Sequence, residues 1–124
     1  MATVLHGIGT ASTLNLTSYA SAAFTPALDD LLVAFIEKTT SVNDGTLADS
    51  LADGGAWIFV RSVLHESSTD IGACFIRNRL VPATSMTVTY DCTDDAAAGC
   101  IIDVARISGM TRVGLSAVLQ SAGE

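Results

Sequence analysis

The sequence is poor in charge: only 15% of its 124 residues are Asp, Glu, Lys or Arg, and Lys38 is its single lysine. Soluble domains ordinarily carry about 25% charged residues. Ala, Thr, Ser and Gly fill the deficit, and such small neutral residues suit flat contacts and burial in an assembly. Basic charge is the scarcer sign, 6 residues against 13 acidic ones, for a net charge of −7. The cations Lys38, Arg61, Arg77, Arg79, Arg106 and Arg112 are scattered and form no basic face, which argues against nucleic-acid binding through phosphates. No run of about eighteen apolar residues is present, so no membrane-spanning helix is expected. The opening residues, MATVLHGIGTAS, lack the basic and apolar regions of a secretory signal, so folding in a cytoplasm is expected.

Groups for catalysis are equally few. His6 and His65 are the only histidines, and GxSxG, HExxH and CxxC patterns are all missing. His65 beside Glu66 has the composition of an acid/base pair, against which stands a plain solvent-facing strand end. Gly7-Ile8-Gly9-Thr10-Ala11-Ser12 superficially resembles a dinucleotide loop but has no βαβ unit around it. Oxygen-rich stretches occur at Asp91, Asp94 and Asp95 and at Asp49 and Asp53. Calcium could use such loops, but the EF-hand spacing is absent and Asp is a common turn residue. Trp57, Tyr19 and Tyr90 could present a sugar-binding face; each also fits a core position. We therefore expect no catalytic, cofactor-binding or metal-binding residues and no cofactor. Three cysteines allow one bridge at most. Buried free thiols at Cys74, Cys92 and Cys100 are expected, with a Cys92–Cys100 bridge across a turn as the alternative.

What is abundant is apolar surface, 49% of residues with a mean hydropathy of +0.47, enough for one domain with a real core. It is distributed in short runs. Residues 1–12 form an extended arm, suited to pairing as an edge strand or to reaching a neighbour. Residues 13–17 alternate as a short strand. Pro26 forbids a helix interior, and Asp29-Asp30 has turn character. Leu31-Leu32-Val33-Ala34-Phe35-Ile36 is apolar at every position, which predicts a central strand covered on both faces. Asn43-Asp44-Gly45 and Asp53-Gly54-Gly55 are turn signals, and the stretch between them reads as a helical turn or an irregular loop. In 56–66, Trp57, Phe59, Arg61 and Val63 alternate with Ile58, Val60, Ser62 and Leu64, and 72–79 returns as its hairpin partner. Pro82 interrupts the ladder. In 84–109, Met86, Val88 and Tyr90 alternate with polar residues, and a turn-rich break leads to Cys100–Ile107, which reads as a second antiparallel pair. A final apolar segment covers 113–120. Strands at about ten-residue spacing without an amphipathic helix predict an all-β fold, an antiparallel β-sandwich of jelly-roll or Ig-like type with about seven or eight short strands over residues 13–124.

Five stretches carry a resemblance to a group of β-sandwich proteins encoded in tailed-phage structural modules. They are Leu14-Asn15-Leu16-Thr17-Ser18-Tyr19, Leu31 to Phe35, Gly54-Gly55-Ala56-Trp57, the run TSMTVTYD, and Gly99 to Gly109 with 117–122 after it. The pattern spans nearly the whole chain and consists of apolar strands and glycine turns. The resemblance implies a virion structural role, first as a capsid decoration (cement) protein docked on the major capsid protein lattice. It implies a homo-oligomer, with a trimer expected, on the capsid surface of a virion assembled in the host cytoplasm. The alternative is a tail- or fibre-associated module that binds a receptor or glycan. Proteins of this kind continue past the Gln-Ser-Ala segment, so either the natural chain extends beyond Glu124 or a neighbour completes the sheet.

Overall fold

The computed structural model describes residues 3–39, 44–65, 70–77, 81–93 and 96–109. Among them every regular element is a strand: β1 (Thr3–Ser12), β2 (Ser18–Ala20), β3 (Leu31–Lys38), β4 (Thr46–Asp49), β5 (Trp57–His65), β6 (Asp70–Arg77), β7 (Val88–Asp91) and β8 (Cys100–Ser108). They form two antiparallel sheets, one of five strands in the order β1-β8-β3-β6-β5 and one of three in the order β2-β7-β4.

Period-two alternation builds the core between them. Leu32, Ala34 and Ile36 of β3, Ile71, Ala73 and Phe75 of β6, and Ile102 and Val104 of β8 are buried from the five-stranded side. Tyr19, Leu47, Val88 and Tyr90 meet them from the three-stranded side. The Phe75 and Tyr90 rings stand edge-on across the layer with centroids 6.3 Å apart, a favoured aromatic geometry. Bridges Leu16↔Ala97 and Phe24↔Met86 lengthen the β2–β7 seam at both ends. Tyr19 pins one end: its hydroxyl accepts from Leu16 N (3.2 Å), and its one proton serves Ala97 O (2.6 Å) or Leu14 O (2.8 Å).

Several expectations change. The stretch 84–109 is not a hairpin: β7 pairs with β2 and β4, and β8 with β1 and β3, in different sheets. Alternation reveals two strands but not their partners, and the break between these two carries the chain from one layer to the other. Residues 13–17 hold a single bridge, and the regular strand begins at Ser18. Residues 46–49, read as a helical turn or loop, form β4 against β7. The arm at residues 3–12 is the edge strand β1, paired along its length with β8. β5 and β6 do pair as a hairpin, but a bulge between Phe59 and Arg61 shifts the register. Trp57 and Phe59 therefore share the inner face with Arg77 and Phe75, while Arg61 and Val63 turn to the outer face with Cys74 and Gly72, re-aimed as bulges do. Among the described residues the central strand β3 is covered on its inner face only, and Phe35 is 51% exposed on the other. The turn at 67–69 and the apolar segment 113–120 lie outside the described residues.

Candidate functional site

Three groups of side chains stand out. The first is a buried ionic cluster where β4, β5 and β6 meet. Arg77 occupies the next inward position after Ala73 and Phe75, and no part of it is solvent-exposed. Its Nε donates to Asp49 Oδ2 at 2.8 Å and its Nη2 to Asp53 Oδ1 at 2.8 Å. Trp57 Nε1 donates to the same Asp49 oxygen at 2.9 Å. Gly55 N donates to Asp53 Oδ1 at 2.9 Å, and a β-carbon on Gly55 would collide with the Arg77 guanidinium. The Arg77 hydrogen bond, then that from Gly55, holds the Asp53 carboxyl below its ordinary 3.8. A carboxyl depressed on folding adds stability above its ordinary range, and that stability is lost as pH falls through the depressed value. The carboxylates Asp49 and Asp53, which calcium could have used, thus clamp the β4–β5 connection onto Arg77. A paired guanidinium is an arrangement that makes a buried charge tolerable.

The second group lies near the centre of the core. Lys38, fully buried, places Nζ 5.7 Å from the Tyr90 ring centroid, within cation–π range. Cys100 is the register partner of Lys38, and Cys92 belongs to the same core. All three cysteines are free, Cys74 half-buried and the other two buried. Burial first, then the neighbouring Cys92, pushes the Cys100 thiol up to about 12, with Lys38 pulling the other way. Burial likewise raises the Cys92 and Cys74 thiols and, first among several causes, the Tyr90 phenol. Since the thiolate is the reactive form, alkylation at pH 8 is expected to modify Cys74 first and slowly. Cys92 and Cys100 should stay unmodified until denaturant unfolds the protein, as peptide mass spectrometry would show; rapid native labelling of either would contradict their burial.

The third group is an open groove of about 470 Å³ on the outer face of the five-stranded sheet. Phe35 and Cys74 form its middle, Arg61 and Val63 one side, Ile101 and Asp103 the other. A smaller groove of about 280 Å³ continues past Glu37 and Ile101 towards Thr39 and Thr13. A pocket of about 130 Å³ between the sheets is lined by Thr10, Ser12, Ser18 and Tyr19. Arg61 Nε in the large groove is buried and has no hydrogen-bond partner among the described residues.

Among the described residues no three His, Cys, Asp or Glu side chains converge as a metal site. Asp94, Asp95, Glu66 and the side chains of His6 and His65 lie outside the described residues. Tyr19 and Tyr90 are buried and Trp57 is partly buried against the core. Sequence reading missed the roles of Arg77 and Lys38. Their strand parity was the available signal, since each falls in phase with the apolar inward positions before it. The fold and its surface define an all-β, two-sheet antiparallel protein whose open groove is mostly apolar. Comparison with protein-family models, curated proteins and solved structures finds no match.

Proposed function

We propose that this chain is a virion structural protein, a capsid decoration (cement) protein built as a jelly roll. The single observation that carries the reading is the strand order. Partners run β1 with β8, β2 with β7 and β3 with β6, and the closing ladders are β8 with β3 and β7 with β4. A four-strand stretch folded back on a second one and wrapped into two layers produces these pairings, which supports reading the fold as a jelly roll, an architecture common in viral capsids. One departure stands: β5 pairs with β6 at the edge of the larger sheet, and its link to β4 is the Asp49–Trp57 hydrogen bond.

The neutral composition and the exposed apolar sheet face support a building-block role, since such faces mark contact surfaces. Among the described residues β1 is an edge strand that pairs only with β8, and an edge of this kind can take a partner strand. The partners on this reading are the major capsid protein or other virion proteins and further copies of the chain. A tail- or fibre-associated, glycan-binding module draws no support from Tyr19 and Tyr90, which are buried. Purified protein added to capsids assembled without it should bind saturably, in fixed ratio to the capsid subunits, and raise the temperature at which the shells open. Shells that neither bind it nor gain heat resistance would remove the proposal.

A further inference from the structure

The apolar run of β3 calls for cover on both faces, yet among the described residues only its inner face has it. On the outer face Phe35, Val63 and Ile101 are 51%, 47% and 44% exposed. The register arranges this face in rows, because directly opposed residues in antiparallel strands share a side. One row crosses β5, β6, β3 and β8 as Arg61, Cys74, Phe35 and Asp103. The next is Val63, Gly72, Glu37 and Ile101.

Each row is complementary to its own reversal. A two-fold axis parallel to the strands, running between β3 and β6, lays a second copy face to face and exchanges β8 with β5 and β3 with β6. Arg61 then lies over Asp103 of the second copy, Phe35 over its Cys74, Val63 over its Ile101 and Glu37 over its Gly72. The contacts are an ion pair, an aromatic–sulfur contact and an aliphatic contact. The fourth position has room for a carboxylate, because nothing lies within 4 Å of where a Gly72 β-carbon would point. This ion pair occurs twice by symmetry, and each copy would engage an Arg61 guanidinium whose Nε has no hydrogen-bond partner among the described residues of its own protomer. Arg61 and Asp103 of one protomer are three strand spacings apart, roughly 14 Å, too far to pair with each other. Twisted sheets stack face to face with nearly aligned strands, as this axis requires.

We propose that the outer face of the five-stranded sheet is a self-complementary interface, and that its occupant is a second copy of this chain. The four strands that this axis overlays, of eight or nine residues each, present a face of roughly 19 by 27 Å. Doubled, that is about 1,000 Å², the area at which a complementary patch becomes a specific interface. A patch that meets itself requires a two-fold axis, so the expected assembly unit is a dimer in place of the trimer implied by the resemblance. The inference stands whether or not the chain docks on a capsid.

The test is sedimentation of four proteins at roughly 100 μM, above the micromolar constants that modest interfaces reach. The parent should be a dimer. Arg61→Asp and Asp103→Arg each set like charges opposite one another twice, and each alone should weaken dimerisation at least tenfold. Mixed in equal amounts, the two variants should form a dimer again, because the mixed pair restores opposite charges at both places. No folding defect produces that rescue. Val63→Glu, at an exposed position, should also give a monomer with the parent's melting temperature. A monomeric or trimeric parent, single variants that dimerise unchanged, or a mixture that stays monomeric would each overturn the interface.

Discussion

Arg77→Ala is expected to destabilise the protein by about 3–5 kcal/mol, the cost of leaving a buried charge without its partner. Asp49, whose side chain is 3% exposed, would keep the Trp57 indole and the Leu51 amide as donors but no positive charge among the described residues. The clamp on the β4–β5 connection would also be released, loosening the passage from the smaller sheet to the larger. In a domain of this size the loss corresponds to roughly 10–20 °C of melting temperature. Asp53→Asn should cost far less, because that side chain is 31% exposed and its pairing is screened by water. Calorimetry on both variants separates the two sites. If Arg77→Ala melts within a degree or two of the parent, the cluster does not hold the fold. Gly55→Ala offers a coupling check: its methyl group would collide with the guanidinium, so its cost should largely vanish in the Arg77→Ala background.

Gly45→Ala is the second large effect, at about 2–5 kcal/mol. Gly45 has φ +68, a left-handed conformation that costs a residue with a β-carbon about 1–2 kcal/mol. A β-carbon there would also strike the Tyr90 hydroxyl and come within 2.5 Å of Asp91 O. Overpacking of this kind costs about 1–3 kcal/mol more. The hydroxyl cannot easily retreat, because it donates to Asp44 O at 2.7 Å and its ring is fully buried. The injury would fall where β4 begins its ladder with β7. Urea unfolding would measure it, and a change below about 1 kcal/mol would show that the turn tolerates a side chain.

Much of the larger sheet was legible from alternation. Leu32, Ala34 and Ile36 show their inward phase directly, as do Ile71, Ala73 and Phe75. Lys38 and Arg77 continue those phases and are buried in step, although a charged residue gives a reader reason to place it outside. β4 was hidden because Thr46–Asp49 is only four residues long and lies between strong turn signals. The faces of Arg61 and Val63 were hidden for another reason: the bulge after Phe59 reverses parity in mid-strand, and a one-residue slip sends every later side chain to the opposite face. The candidate interface depends on that slip, since without it Arg61 would point into the core.

From the sequence alone came the strand positions, the absence of a strong catalytic pattern and the excess of neutral apolar surface, because periodicity and composition are properties of neighbouring residues. Which strands share a sheet was settled only by the tertiary structure. So were the division of β7 from β8, the pairing of Asp49 and Asp53 with Arg77, and the rows that set Arg61 and Asp103 on opposite sides of Phe35. Those facts rest on hydrogen bonds and packing between residues far apart along the chain, and period-two alternation is the same whichever partner a strand chooses.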